Sequence, residues 1–230
     1  MAPLAAELPD PTGRDAAAPR MTITVRHPLC ARLYAQQAER AEGLGLAERR
    51  RRLLEGLSGR VLEIGAGTGT NFAHYPPAVD EVVALEPEPY LRQRLAAAAE
   101  RVPVDVAVID AAAEALPFAD GGFDAAVSCL VLCSVADPVR ALAELRRVLR
   151  PGGELRFLEH VASPQPARRR LQRAADATLW PLLSGGCHLG RDTTRLIADA
   201  GFAIERCERF AFGIPPLDPP KTHALGIAGA

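Results

Sequence analysis

The chain has 230 residues, of which 48% are hydrophobic and 24% are charged, and its formal net charge at pH 7 is −1. This length and composition are those of one ordinary globular domain with a full core. The near-zero charge gives no overall field that would attract nucleic acid or an anionic membrane, and no apolar run approaches the roughly 20 residues of a membrane-spanning helix. We therefore expect no nucleic-acid partner and no integral membrane anchor.

The first 20 residues are rich in alanine and proline. They lack the basic start and apolar core of a secretory signal, so the sequence predicts a disordered tail at 1–20. The five cysteines form an odd number and include no CxxC pair, which argues against a disulfide framework or a zinc site. We expect buried cysteines, no metal and a cytoplasmic location.

Helical and strand patterns alternate from residue 32 to residue 160. The strands are short apolar runs of the length of buried parallel strands, and proline or glycine ends the helices. In chain order, the predicted elements are a helix at 32–57, a strand at 61–64, a helix at 70–75, a strand at 81–85, a helix at 89–99, strands at 104–109 and 123–129, a helix at 138–149 and a strand at 154–159. This alternation predicts a doubly wound α/β fold with a mostly parallel sheet. The four arginines at 49–52 are expected to form a solvated helix face.

After residue 163 the pattern changes. The predicted elements are a helix at 167–183, a glycine-rich loop at 184–190, a helix at 193–200 and strands at 202–210 and 223–228. We divide the domain at 21–230 into an N-terminal helical lid at 21–58, a cofactor-binding core at 59–160, a substrate-side helix and loop insertion at 161–192, and a closing helix and strands at 193–230.

Three glycines follow the first strand at alternate positions, as Gly65, Gly67 and Gly69. Glycine permits tight turns and brings the backbone close to a ligand, because it has no Cβ. Open α/β sheets bind their ligands at the carboxyl ends of the strands. The sequence therefore predicts a cofactor site at this loop.

The surrounding residues narrow the choice of cofactor. A phosphate-binding loop needs a lysine after its glycines, yet Lys221 is the only lysine, and Thr70 holds the third glycine position of a dinucleotide fingerprint. S-adenosylmethionine fits better, because Glu86 follows the second strand and a carboxylate can accept hydrogen bonds from both ribose hydroxyls. Glu63 is expected either to orient the loop or to meet the ammonium group of the cofactor.

Successive motifs between about residues 59 and 160 resemble those of class I SAM-dependent methyltransferases. They are Glu63-x-Gly65-x-Gly67-x-Gly69, Glu86, the segment 113–118, Phe123-Asp124 and the segment 149–153. The resemblance implies a single-domain Rossmann-like fold with a seven-stranded sheet, helices on both faces and an antiparallel last strand. It also implies S-adenosylmethionine as cofactor and S-adenosylhomocysteine as product. One departure is Ala112, because relatives often place there an aspartate that binds the adenine; Asp110 stands two positions earlier.

The cofactor-binding residues implied by this resemblance come from four short segments. They are Glu63, Gly65, Ala66, Gly67, Gly69, Asn71, Glu86, Pro87, Ala113, Glu114, Cys129 and Leu130.

The methyl acceptor is expected to meet the ends of the fourth and fifth strands. The segment 129–134 is apolar and sulfur-rich, and Glu159 and His160 add one carboxylate and one imidazole. We call these residues the acceptor wall. They lack the Asn/Asp-Pro-Pro-aromatic motif expected for methylation of amides or base amino groups. A thiol with a pKa of about 8.5 is only slightly ionised at pH 7, but its thiolate is a strong nucleophile. When the thiolate attacks the sulfonium, their opposite charges cancel, and a dry site assists such a reaction. Such a wall favours a thiol acceptor.

A closer resemblance covers most of the chain. The segments 130–135, 159–161 and 180–191 are similar to those of the methyltransferase-like 7 family. The resemblance implies direct in-line methyl transfer to the sulfur of a small-molecule thiol, of natural-product or lipophilic type. Unlike the animal members, this chain is expected to lack an N-terminal membrane anchor. The alternatives are a C-, O- or N-methyltransferase for a quinone, lipid or other small metabolite, and a SAM-binding protein without catalysis.

Residues for the reaction follow from these positions. His160 is the first candidate for the general base, and Glu159 is the alternative. The predicted substrate-binding residues are Tyr34, Cys133, His160, Trp180 and His188. Tyr34 is expected to cover the cofactor or to pack a helix on the sheet, and Trp180 to line the pocket or to fill the core. We expect a monomer or a homodimer.

Overall fold

The computed structural model describes residues 28–215 and 219–230, so the predicted tail at 1–20 lies outside the described residues. Seven strands form one sheet in the order β3-β2-β1-β4-β5-β7-β6. The strands are β1 (Gly59–Ile64), β2 (Val79–Leu85), β3 (Asp105–Ile109), β4 (Phe123–Cys129), β5 (Leu149–His160), β6 (Ala203–Phe212) and β7 (Lys221–Gly229). The first five strands pair in parallel, while β7 runs antiparallel between β5 and β6. The predicted fold class and the antiparallel last strand are confirmed.

Helices cover both faces of this sheet. They are α1 (Pro28–Ala41), α2 (Ala47–Leu54), α3 (Pro89–Ala99), α4 (Pro138–Val148), α5 (Pro166–Asp176), α6 (Trp180–Leu183) and α7 (Thr193–Asp199). Two helices on the parallel core begin with an acidic cap followed by proline: Glu88 accepts from the Leu91 amide at 2.8 Å, and Asp137 accepts from the Arg140 amide at 3.0 Å. Such caps satisfy amides that have no partner within the helix.

The apolar core lies in two layers, one on each face of the sheet. Val61 of β1 packs with α2 and α3 residues such as Leu53 and Leu95, whereas its neighbour Leu62 packs with α4 residues such as Leu142. Both side-chain directions of β1 are therefore buried, which explains its continuous apolar sequence.

Several predicted boundaries differ from the structure. The helix predicted at 32–57 is broken by a π-helical segment at Glu42–Leu46, because Gly45 adopts φ 102°. The helix predicted at 70–75 is only a 3-10 turn at Phe72–His74. Prolines follow it, and the flanking side chains of Asn71 and Tyr75 bond to the buried Glu63. The helix predicted at 167–183 is divided into α5 and α6, and β5 and β7 are longer than expected. No helix in the described ranges has the length and apolarity to cross a membrane.

The parallel arrangement brings four functional segments to one edge. The carboxyl ends of β1, β2, β4 and β5 lie there side by side, at Ile64, Leu85, Cys129 and His160. The glycine loop, Glu86 and the predicted acceptor wall therefore meet at this edge.

Candidate active site

Three glycines shape the loop that follows β1. Gly65, Gly67 and Gly69 have φ of 55°, 60° and 81°, in a region that residues with a Cβ rarely adopt. A Cβ on Gly65 would lie 2.6 Å from Cγ2 of Val131, and one on Gly67 would lie 3.0 Å from the Tyr34 ring. The loop therefore lies directly against the predicted lid residue and the predicted acceptor wall.

Glu86 joins this loop to the end of β2. One carboxylate oxygen accepts from the Gly67 amide at 2.9 Å, and the other accepts from the Glu88 amide at 2.9 Å. Burial raises the pKa of the Glu86 carboxyl above its usual range. Because a carboxylate offers about four acceptor positions, each oxygen retains one for a ribose hydroxyl. The backbone carbonyls of Glu86 and Pro87 accept hydrogen bonds from the Arg92 side chain, at 2.8 and 3.0 Å respectively.

Glu63 lies beneath the glycine loop in a buried polar network. Its carboxylate accepts from the Asn71 side-chain amide at 2.8 Å and from the Tyr75 hydroxyl at 2.7 Å. Burial raises its pKa to about 7. These bonds are those expected if Glu63 orients the loop. With close backbone approach at the glycines and open acceptor positions on Glu86, the site fits S-adenosylmethionine.

The expected solvated face at Arg49–Arg52 is wrong for Arg50, which is 3% exposed. Its Nε donates to Glu42 at 2.8 Å, and its Nη1 donates to Asn71 at 2.8 Å and to the Cys129 sulfur at 3.0 Å. Successive helix positions differ by about 100°, so in a run of four arginines one points toward the sheet. Sequence reasoning missed this residue, because identical neighbours give no sign of which one is buried.

Tyr34 of α1 packs over the glycine loop and is half-buried. It extends a small apolar cluster that joins α1 to Leu91 of α3. Burial raises the pKa of its phenol to about 12, so the hydroxyl stays protonated at neutral pH. Tyr34 therefore both packs α1 against the core and covers the loop, and its contact with a cofactor stays a prediction.

The predicted adenine-side residues are engaged in packing and bracing. Ala113 is buried in the apolar core, and the Glu114 carboxylate accepts from the amides of Ala136 at 3.1 Å and Asp137 at 3.4 Å. Asp110 forms an ion pair with Arg92 at 2.9 Å. Glu114 thus holds the segment that leads into α4, and its contact with adenine stays a prediction.

Cys129 and Leu130 begin the loop after β4. Burial raises the pKa of the Cys129 thiol to about 12, so it stays neutral beside Arg50. Leu130 has φ 62°, alone among the described non-glycine residues in having a positive φ, a conformation that costs about 1–2 kcal/mol. Both residues offer apolar and backbone contacts rather than charge.

The carboxylate of Glu159 organises the rest of this loop. It is completely buried and accepts four hydrogen bonds, one at 2.7 Å from a hydroxyl and three at 3.0–3.2 Å from backbone amides. The donors are Ser128, Val131, Leu132 and Cys133. Because the protein itself fills its acceptor positions, Glu159 is suited to brace the loop rather than to move a proton.

His160 presents a different situation at the end of β5. It is 2% exposed, its Nδ1 lies 3.3 Å from the Cys187 sulfur, and its Nε2 is buried without a hydrogen-bond partner among the described residues. The indole nitrogen of Trp180 is likewise buried without a described partner, and the third such atom belongs to Arg156. Buried polar atoms without partners are costly. Those of His160 and Trp180 therefore mark positions where a ligand could bond.

The loop at 184–190 docks onto the loop after β4. The His188 amide donates to the Cys133 carbonyl at 3.0 Å, and its Nδ1 donates to the Gly186 carbonyl at 2.7 Å. Arg191 donates to the carbonyls of Leu132 and Val135, both at 2.8 Å. His188 thus braces its own loop, and its contact with substrate stays a prediction. The sequence contained no local signal for the role of Arg191 or for the pairing of Cys187 with His160.

Gly65→Ala is expected to weaken binding of S-adenosylmethionine by about 5- to 150-fold, because overpacking costs about 1–3 kcal/mol. The added Cβ would collide with Val131. Titration calorimetry measures the affinity. Gly121→Ala is the matched control, because Gly121 also has a positive φ, 68°, but its Cβ would have no neighbour closer than 3.8 Å. Equal affinity in the two variants would contradict the close approach.

Comparison with known proteins agrees with this geometry. Residues 62–157 match a family model described as "Methyltransferase domain". The chain is 38% identical over 182 residues to the thiol S-methyltransferase TMT1B of Homo sapiens, covering 76% of this chain and 73% of the relative. It is 41% identical over 117 residues to the demethylmenaquinone methyltransferase of Renibacterium salmoninarum, covering 49% and 48% of the two chains. A solved structure of an S-adenosylmethionine-dependent methyltransferase from Mesorhizobium loti aligns with a TM-score of 0.58 at 21% identity, covering 83% and 98%, and supports the fold alone.

Proposed function

The chain belongs to the class I SAM-dependent methyltransferase family, and from that premise we propose that it transfers a methyl group to the sulfur of a small-molecule thiol. The observation that carries the proposal is the buried Nε2 of His160, which has no partner among the described residues. The relative named as a thiol S-methyltransferase aligns over 73% of its length. The relative named for a quinone substrate aligns over 48% of its own.

On the side of the methyl donor, the residues of the chain bind and orient the cofactor. When bound, S-adenosylmethionine supplies a methyl group on a positively charged sulfur. We assign its ribose to Glu86 and its methionine end to the loop at 65–69 with Glu63 and Asn71. Tyr34, packed over Gly67, excludes water from this part of the site, which strengthens the electrostatic contacts there.

On the acceptor side the chain must take up the proton of the thiol, because the thiolate is the nucleophile. The Nδ1 of His160 faces the Cys187 sulfur, so Nε2 is the ring nitrogen left to accept that proton. In the neighbouring wall Val131 is half-buried, and Leu132 and Cys133 lie buried behind it, so the surroundings of this imidazole are mostly apolar. A dry wall with one imidazole suits a thiol better than a weakly nucleophilic amide.

A panel of acceptors tests the proposal directly. Purified protein would be incubated with S-adenosylmethionine and with polar, alkyl and aryl thiols, a quinone, a phenol and an amine, and the products identified by mass spectrometry. We expect a methyl thioether from at least one thiol. If only the quinone, phenol or amine is methylated, the alternative acceptor class replaces the thiol. Formation of S-adenosylhomocysteine in the absence of any acceptor would also contradict the proposal.

His160→Gln is expected to lower kcat with an alkyl thiol by about 100-fold, because a positioned base contributes about 10²–10⁴-fold. The affinity for S-adenosylmethionine should stay unchanged. An aryl thiol that is already ionised at neutral pH should lose much less, since it needs no base. His74→Gln is the control, because His74 lies in the 3-10 turn after the glycine loop, 3.9 Å from Glu42. An equal loss with both kinds of thiol would show that His160 only maintains the structure.

A further inference from the structure

Two cysteines and a histidine from three separate segments meet on the acceptor side. The Cys187 sulfur lies 3.3 Å from Nδ1 of His160, and the Cys133 and Cys187 thiols are near enough for each to shift the pKa of the other. The backbones meet as well, because the His188 amide donates to the Cys133 carbonyl at 3.0 Å. The two cysteines are therefore held as neighbours, and both are free thiols.

The contact is fixed by the surrounding loop. Gly186 has φ 92°, and a Cβ there would lie 2.6 Å from the Ser134 carbonyl oxygen. Arg191 ties the same loop to two carbonyls after β4, and Asp176 accepts from the amides of Leu189 and Gly190 at 2.7 and 2.8 Å. Both sides of the Cys187 position are thus anchored.

The two thiols are in opposite electrostatic situations. Hydrogen bonds from Cys133 and His160 lower the pKa of the Cys187 thiol, and the positive charge of Lys221 acts in the same direction. The hydrogen bond to Cys187 and burial raise the pKa of the Cys133 thiol well above its usual range, and Glu159 adds to this. Cys187 is partly exposed whereas Cys133 is 2% exposed. Cys187 therefore has the accessibility and charge of a nucleophile, and Cys133 lies behind it.

Cys129 and Cys207 lack this arrangement. Cys129 is buried and neutral beside Arg50, and partial desolvation raises the pKa of the Cys207 thiol, which lies at the surface. Within 28–215 and 219–230, no group of three His, Cys, Asp or Glu side chains has the arrangement of a metal site. A metal site is therefore not the explanation for the cluster.

We propose that Cys133 and Cys187 form a thiol–disulfide exchange site for small-molecule disulfides. The Cys187 thiolate attacks one sulfur of the disulfide, so that a Cys187–sulfur bond forms and the disulfide bond breaks, releasing a small thiolate. Cys133 then attacks the sulfur of Cys187, its proton leaves with the second small thiol, and a Cys133–Cys187 disulfide remains. In total one external disulfide is reduced to two thiols while two cysteine thiols are oxidised.

The identity of the ligand rests on the proposed function, because the groups by which a site recognises small thiols are also present on their disulfides. The exchange itself needs no methyl donor. His160 would lose its sulfur partner in the oxidised protein, so methyl transfer should fall while binding of S-adenosylmethionine is retained.

Intact-protein mass spectrometry with 2-hydroxyethyl disulfide tests the pair. A Cys30→Ser/Cys207→Ser protein serves as the background, so that Cys129, Cys133 and Cys187 remain. This protein is expected to lose two hydrogens and to yield a peptide that links Cys133 to Cys187. Adding Cys133→Ser should trap one mercaptoethanol adduct on Cys187, and adding Cys187→Ser should abolish both products.

Three results would overturn the proposal: no linked peptide in the background protein, no adduct after Cys133→Ser, or equal capture after Cys187→Ser. Thermal unfolding of each variant shows that it is folded, and the linked peptide in the background protein does not depend on the additional variants. A linked peptide without methylation of any thiol would refute the proposed function alone. Thiol methylation without a linked peptide would refute the exchange site alone.

Discussion

Replacement of Glu86 by alanine is expected to weaken binding of S-adenosylmethionine at least about 100-fold. Its carboxylate holds the Gly67 amide in place and keeps acceptor positions for two ribose hydroxyls. Hydrogen bonds to a charged group contribute about 1.5–3 kcal/mol each, so two of them account for at least this factor. Ligand at 100 times its Kd stabilises a protein by about 2.7 kcal/mol, and the same concentration would stabilise the variant by about 0.4 kcal/mol.

Thermal unfolding with and without the ligand measures this difference. Glu81→Ala is the matched control, because Glu81 lies at the other end of β2 and pairs with Arg60 at 2.6 Å. This control should keep the full ligand-induced shift. A full shift in the Glu86 variant, or its loss in both variants, would contradict the assigned role.

Replacement of Arg50 by methionine should lower the free energy of unfolding by about 3 kcal/mol. Breaking a buried ion pair costs about 3–5 kcal/mol, and Glu42 is partly exposed, which reduces the cost. Asn71 and Cys129 would also lose a donor. For a chain of this size the midpoint of thermal unfolding should fall by about 10 °C.

Arg51→Met provides the control from the adjacent position. Arg51 is 55% exposed and pairs with Glu48 on the helix surface, where an ion pair contributes about 0–1 kcal/mol. Chemical denaturation of both variants should therefore separate them by more than about 2 kcal/mol. A difference within experimental error would mean that the buried network adds nothing to stability.

The core elements could be predicted because their signals are local. The strands β1, β2 and β4 are mostly buried, so each is visible as a short apolar run, and proline or glycine follows close after the helices between the strands. The glycine loop and Glu86 stand directly after two of these strands. Parallel topology places the residues that directly follow these strands at one edge of the sheet. The cofactor-binding half of the site could therefore be predicted from the order of the elements.

Side-chain partners were decided only by the tertiary structure. Glu159 was a candidate base in the sequence, but the donors that fill its carboxylate lie at the end of β4 and in the loop after it. Cys133 and Cys187 meet because a loop folds back across β4 and β5. Hydrogen bonds and pKa shifts depend on distance and burial, and residues far apart in the chain acquire these only when it folds. The sequence by itself determined the fold and the glycine loop. Packing decided which acidic, basic and sulfur groups stabilise the protein and which keep atoms available for a reaction.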